Sequence, residues 1–257
     1  MARLVLTGLR KAYGEVRAVD GLSLSVGERE FLVVVGPTGC GKSTLLRLIA
    51  GVDRPDAGHI VLDGARMNEV PLGKRGIQMI FQGYALWPHM RVFDDSRYSN
   101  LGFALKVRKW VPESIVRRVR DVMRRVGIEE ELAGRRPSEL SSGQQQKVAI
   151  GRAIALPPRV FLLDEPMANI DPVSKRQVRA EIRRVHDELG TVTILVTHDL
   201  ADAFQLADRI AIMREGRILQ VDTPQRLLEA PADPFVADFL SSFAPFWWDR
   251  ARGAGGG

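Results

Sequence analysis

Five consecutive apolar residues, Phe31-Leu32-Val33-Val34-Val35, run straight into Gly36-Pro37-Thr38-Gly39-Cys40-Gly41-Lys42-Ser43-Thr44. A continuous apolar run of that length reads as a strand buried on both faces, which demands a sheet covered on both sides. A helix is expected over 42–50, so the glycine-rich stretch must turn the chain from a buried strand into a helix within a few residues. In that setting the pattern G-x-x-x-x-G-K-S is a cradle for phosphate. Its glycines let the backbone wrap so that several N–H groups point inward. The start of the helix adds its positive end. Lys42 reaches the β- and γ-phosphates of a nucleotide, and the Ser43 hydroxyl can ligate Mg²⁺. Residues Gly36 to Thr44 are therefore the expected nucleotide contacts. Cys40 reads as a small filler within the loop, and a bulky thiol adduct there is expected to crowd the phosphates.

The rest of the chain alternates short β-type and helix-type runs, the pattern of an α/β fold with a largely parallel sheet. Residues 4–9, 16–26 and 59–63 read as strands joined by short turns, an antiparallel β region beside the main sheet. Residues 160–163 and 193–196 are two further buried strands. Between about Trp87 and Ala155 helical segments dominate. There Ile115, Val116, Val119, Val122 and Val126 recur at helical spacing among Arg117, Arg118, Arg120, Arg124 and Arg125, so this is an amphipathic helix with a basic, solvated face. The boundaries implied are a core over 1–87 and 156–240, an inserted helical part over 88–155, and a tail over 241–257. The glycine-rich tail is expected to be disordered, with Phe243, Phe246, Trp247 and Trp248 packing locally.

With 257 residues, 45% of them apolar, the chain suits one domain with an insertion. It has no run of eighteen apolar residues and no signal-peptide pattern, so a cytosolic location is expected. A single cysteine excludes an internal disulfide. The net charge of +6 reads as an arginine-rich surface, because no aromatic residues interleave with the basic ones as nucleic-acid binding would favour.

Val160-Phe161-Leu162-Leu163 is followed by Asp164 and Glu165. A buried strand ending in acid places carboxylates at the C-terminal edge of a parallel sheet, where α/β proteins bind ligands. Asp164 can hold Mg²⁺ through water, and Glu165 can polarise an attacking water. Thr197-His198-Asp199 ends another buried strand on the same edge, which brings His198 toward the γ-phosphate. Gln82, after the strand ending at Phe81, has an amide that could reach Mg²⁺ or the water.

Leu140-Ser141-Ser142-Gly143-Gln144-Gln145-Gln146 resembles the LSGGQ signature of ABC ATPases, with Ser142 in place of the first glycine. From there the resemblance extends over nearly the whole chain. Tyr13 matches the adenine-stacking aromatic, Gln82 the Q-loop, Ala168-Asn169-Ile170-Asp171 the D-loop and His198 the switch histidine. The family implies a phosphate-loop ATPase core with an antiparallel β subdomain and an inserted helical subdomain. It implies ATP as the nucleotide, Mg²⁺ as cofactor, and Glu165, His198 and Gln82 as catalytic residues. It also implies that two subunits, identical or close paralogues, pack head to tail. Ser141, Ser142, Gly143 and Gln144 of one then cover the γ-phosphate of the other. Implied partners are two transmembrane permease subunits and an extracytoplasmic solute-binding protein, with no nucleic acid, and a position on the inner face of the cell membrane.

The Gln82 to Met90 stretch, Arg179 to Ile182, Asp222-Thr223-Pro224 and Pro231 to Leu240 look like the importer ATPases for sugars and polyamines. The last stretch equally resembles osmoprotectant importer ATPases. Three departures stand out. The chain stops before the regulatory domain, roughly a hundred residues, that maltose-type ATPases carry. Asp95 to Ser99 looks like a short insertion. Ser142 adds a side chain where the backbone approaches phosphate closely, but Gly143, which matches the more critical glycine, is intact, so activity is expected to survive, if at a reduced level. The features of soluble ABC ATPases that act on DNA or ribosomes, two ATPase domains or a long coiled coil, are not seen. The signature argues against a kinase, and no guanine-recognition motif is present. A subunit that binds ATP without cleaving it is disfavoured by the presence of Glu165 and His198.

Overall fold

The structure, a computed structural model, describes residues 3–81, 85–168 and 170–241. The chain opens with β1 (Leu4–Tyr13) and β2 (Val16–Val26), an antiparallel pair. It continues through β3 (Phe31–Val35), α1 (Lys42–Ala50), β4 (Ala57–Leu62), the two-residue β5 (Ala65–Arg66) and β6 (Ile77–Ile80). A helical stretch follows with α2 (Phe103–Val107), α3 (Pro112–Arg125) and α4 (Ser142–Ala155). The chain then returns to β7 (Val160–Asp164), α5 (Pro172–Leu189), β8 (Val192–Thr197), α6 (Leu200–Leu206), β9 (Arg209–Arg214), β10 (Arg217–Asp222), α7 (Pro224–Glu229) and α8 (Pro234–Ser241). Among the described residues no helix is long and apolar enough to cross a membrane.

Two sheets organise the molecule. One has the order β2-β1-β4-β5 and is antiparallel; the other has the order β10-β9-β3-β8-β7-β6 and is parallel except for the β9–β10 hairpin. The α/β expectation holds. β1 runs four residues beyond the expected 4–9 span because a register shift falls between Leu6 and Leu9. There Gly8 takes φ +58°, and Leu9 turns inward beside Leu4 and Leu6. A bulge of this kind hides the end of a strand from a simple alternation count.

The apolar run of β3 serves two cores at once. Leu32 and Val34 face α1 and the antiparallel sheet, while Phe31, Val33 and Val35 face the helices on the other side. Successive strand residues point to opposite faces, so a strand with both faces covered needs apolar residues at every position.

The amphipathic helix α3 starts at Pro112, whose fixed φ suits a first helical residue. It buries Ile115, Val119, Val122 and Met123. Its basic face is less solvated than its composition suggests. Arg118 donates to the carbonyls of Ile154 (2.7 Å) and Ala155 (2.9 Å), the open C-terminal end of α4. A guanidinium at that position satisfies orphan carbonyls and complements the helix dipole.

β3 lies between β9 and β8, and β8 between β3 and β7. The C-terminal ends of β3, β8 and β7 are therefore adjacent, and each is followed by residues singled out in the sequence: Gly36 to Thr44, His198, and Glu165.

Candidate functional site

The loop after β3 is held by close backbone approaches. A Cβ at Gly36 would lie 2.0 Å from the Met213 carbonyl oxygen at the end of β9. One at Gly41, where φ is +106°, would lie 2.0 Å from the Ala18 carbonyl oxygen in β2. Only glycine fits either place. The Gly216 amide donates to the Cys40 carbonyl at 3.0 Å, so the β9–β10 turn also grips the loop. Cys40 itself turns inward and is buried. Burial pushes its thiol pKa up, against the lowering pull of Lys42. The expectation of a crowding adduct therefore applies only once the loop has opened.

Lys42 is 6% exposed, and its ammonium donates to the carbonyls of Gly36 (2.8 Å) and Pro37 (3.0 Å). A buried charge held by neutral partners, these carbonyls and the Cys40 sulfur at 3.9 Å, is a receptive partner for an anion. The Ser43 hydroxyl donates to Asp164 Oδ1 at 2.9 Å. Burial raises the Asp164 pKa, opposed by that hydroxyl. A hydroxyl beside a buried carboxylate is a hard oxygen donor set suited to Mg²⁺. Glu165 follows in a left-handed conformation, φ +45°, with its amide donating to Val196 O at 3.0 Å. Backbone of this kind in a non-glycine residue costs on the order of 1 kcal/mol and is concentrated at functional sites. It turns the carboxylate to within 3.2 Å of His198 Nδ1.

Lys42, Ser43, Glu165 and His198 share one open cleft of about 470 Å³, lined also by Ala18, Thr38, Gly39, Gly41 and Thr44, while Asp164 is buried behind Ser43 and is not part of the lining. Ala18 has no signal in the sequence, since its place follows from the fold of β2. Tyr13 does not line the cleft. It lies 46% exposed near the end of β1, with its hydroxyl on Asp53, which also pairs with Arg47 of α1 at 2.8 Å. Gln82 and Asn169 lie outside the described residues.

The serine-glycine stretch is built into a separate place. Ser141 caps α4, accepting from the Gln144 amide (3.3 Å), while the Gln144 side chain accepts from the Ser141 amide (2.9 Å). This reciprocal capping box fixes the helix start. Ser142 is exposed at the first helical position. A Cβ built on Gly143 meets nothing within 4 Å, so its own chain sets no limit on size there. With Asp171 and Ser174, among others, these residues line a second cleft of about 320 Å³. The two clefts share no lining residue. Gln146 also lines the second cleft. It is fully buried, and neither its amide nitrogen nor its oxygen has a hydrogen-bond partner. Nothing in the sequence distinguishes it from Gln144 and Gln145.

The chain is 46% identical over 243 residues to the alpha-glucoside transport ATP-binding protein AglK of Rhizobium meliloti, covering 94% of this chain and 66% of that protein. It is 44% identical over 242 residues to the sn-glycerol-3-phosphate import ATP-binding protein UgpC 1 of Rhizobium johnstonii, covering 94% of this chain and 64% of that protein. The chain thus spans just under two thirds of the length of these curated relatives. Among solved structures, it superposes with a TM-score of 0.75 and 28% identity on the ATP-binding cassette MJ0796 in a dimeric post-hydrolysis state bound to ADP and Pi, covering 86% of this chain and 98% of that one. It superposes on cbiO1 of Clostridium perfringens, part of the ABC transporter complex cbiONQ, with a TM-score of 0.79 and 27% identity, covering 89% and 91%. The ABC transporter family matches residues 19–168, more than half of the chain, and with the phosphate cradle, the acid pair and the serine-capped helix all present, this chain belongs to that family.

Proposed function

We propose that this chain is the ATP-binding and ATP-hydrolysing subunit of an ABC importer for a sugar-type solute, and that its reaction centre is completed by a second copy or a close paralogue. The separation of the two clefts carries this reading. One holds the cationic, Mg²⁺-suited phosphate cradle, and the other holds an amide-rich helix start with open space over Gly143. That the two clefts share no lining residue supports their completion by a second chain. Two copies arranged head to tail bring each serine-glycine helix start onto the other's cradle, a closed symmetric pairing.

The roles given to the residues rest on the family resemblance, and for those that line the cleft its geometry supports them. The loop amides from Thr38 to Thr44, the start of α1 and the Lys42 ammonium receive the ATP phosphates. Ser43 and Asp164 would hold Mg²⁺, which when bound supplies positive charge to the phosphate oxygens. Glu165 accepts a proton from the attacking water, and His198, hydrogen-bonded to that carboxylate, fixes its orientation. Tyr13, held through Asp53 to α1, offers a ring for the adenine, and Gln82 is assigned to the cation and the water. Core residues 1–87 and 156–240 carry the cradle, and 88–155 carry the signature. The names of AglK, an alpha-glucoside transport protein, and UgpC 1, an sn-glycerol-3-phosphate import protein, support import of a sugar-type solute as the purpose. Two membrane permease subunits and a solute-binding protein are the partners that such a role requires, with this chain on the inner face of the membrane.

Light scattering on the Glu165→Gln variant tests the reading. Mg-ATP should convert it from monomer to a long-lived dimer, while the parent chain hydrolyses ATP and stays largely monomeric. A Glu165→Gln chain that binds ATP yet remains monomeric, or that hydrolyses it at the parent rate, sinks the assignment.

A further inference from the structure

We propose that Lys175 is a positioning residue that ties the His198 turn to α5, the helix whose start lines the second cleft, and so holds His198 against Glu165; this deepens the reading given under Proposed function and rests on it.

Helix α5 has two working faces. Asp171 accepts from the Ser174 amide at 3.0 Å, fixing the start of the helix, and both residues line the serine-glycine cleft. A different face carries Lys175 and Arg179, one turn apart, and packs toward α6. Lys175 bonds to Asp199 and lies 3.1 Å from Asp202. Arg179 reaches Asp202 Oδ1 twice, at 2.6 and 3.2 Å, and bonds to Gln205. Asp202 is 1% exposed.

Asp199 is the element on which this fork acts. It follows His198 directly and caps α6, with Oδ1 accepting from the amides of Ala201 (2.8 Å) and Asp202 (3.2 Å). Its other oxygen takes Lys175, and its own amide donates to Thr197 Oγ1 at 3.0 Å. The residue after His198 is therefore held on every polar atom of its side chain, once by α6 and once by α5. Removing Lys175 leaves Asp202 paired through Arg179 and the α6 cap intact, so the fold persists. What is lost is the link between α5 and the turn that sets the 3.2 Å contact of His198 with Glu165.

Lys175→Met should lower kcat for ATP hydrolysis about tenfold or more while ATP affinity stays within about twofold, since the cradle is untouched. Lys175→Arg should restore most of the rate, because it keeps the charge and the reach. In nucleotide-free protein, the His198 imidazole resonance, assigned by its loss in His198→Gln, should shift in Lys175→Met and return in Lys175→Arg. Lys175→Gln serves as a second neutral variant should the methionine chain fold poorly. A resonance and a kcat both unchanged in the neutral variants overturn the proposal, as does failure of arginine to restore either. A parent chain without ATPase activity would sink the functional reading instead, while the His198 resonance would still decide the Lys175 link.

Discussion

Cys40 and Glu165 show how a residue's neighbours in space decide its chemistry. Cys40 lies inside a phosphate cradle by sequence, yet its side chain belongs to the core beneath the loop, with burial raising its thiol pKa. Thiolate is the reactive form, so alkylation requires the loop to open. Iodoacetamide at neutral pH should modify Cys40 at least about tenfold more slowly in the folded chain than in urea, and saturating Mg-ATP should slow it further. Equal rates in native and unfolded protein would contradict the burial. Lys42, Ser43, Asp164, Glu165 and His198 could be singled out in the sequence because each ends a buried strand, directly follows one, or opens the helix after one. The direction of the Cys40 side chain and the left-handed turn at Glu165 were not legible there, since both are imposed by β9, β2 and β8, elements distant in sequence.

At the scale of elements, α4 was legible at its start and opaque in its interior. The sequence Ser141 to Gln144 announces a capping box, and the structure contains it. Gln146, one turn in, reads as another polar helix residue but is fully buried without partners. An unsatisfied buried amide costs about 1–3 kcal/mol. Methionine is close in volume and makes no such demand. Gln146→Met should therefore stabilise the isolated chain by about 1–2 kcal/mol, read as a higher urea midpoint at unchanged slope. A lower midpoint would mean that the amide is satisfied in solution. Similarly, the arginines of α3 looked like a solvated stripe, and helical periodicity alone could not show that Arg118 reaches across to close the end of α4.

For the whole molecule, the proposed function means that half a reaction centre faces solvent at each of the two clefts. Under the head-to-tail arrangement, a chain with a disabled cradle can still serve a partner through its serine-glycine helix. Lys42→Ala and Ser141→Arg chains should each be inactive alone. Mixed in equal amounts, they should recover about a quarter of the parent ATPase rate, because random pairing yields half mixed dimers with one intact centre each. A mixture as silent as its components would place the reaction within single chains. The largely parallel α/β layering and the antiparallel region were legible from strand runs, whereas which strands adjoin was not. It is the β3-β8-β7 adjacency that assembles the cradle, His198 and Glu165 into one cleft.

The bracing of the phosphate loop by Met213, Ala18 and Gly216 bears on how fast nucleotide is captured. A loop wedged between a strand end, a neighbouring strand and a hairpin has already surrendered its conformational entropy when the chain folds. Arrival of nucleotide then calls for little rearrangement, and capture is limited by encounter rather than by waiting for a rare shape.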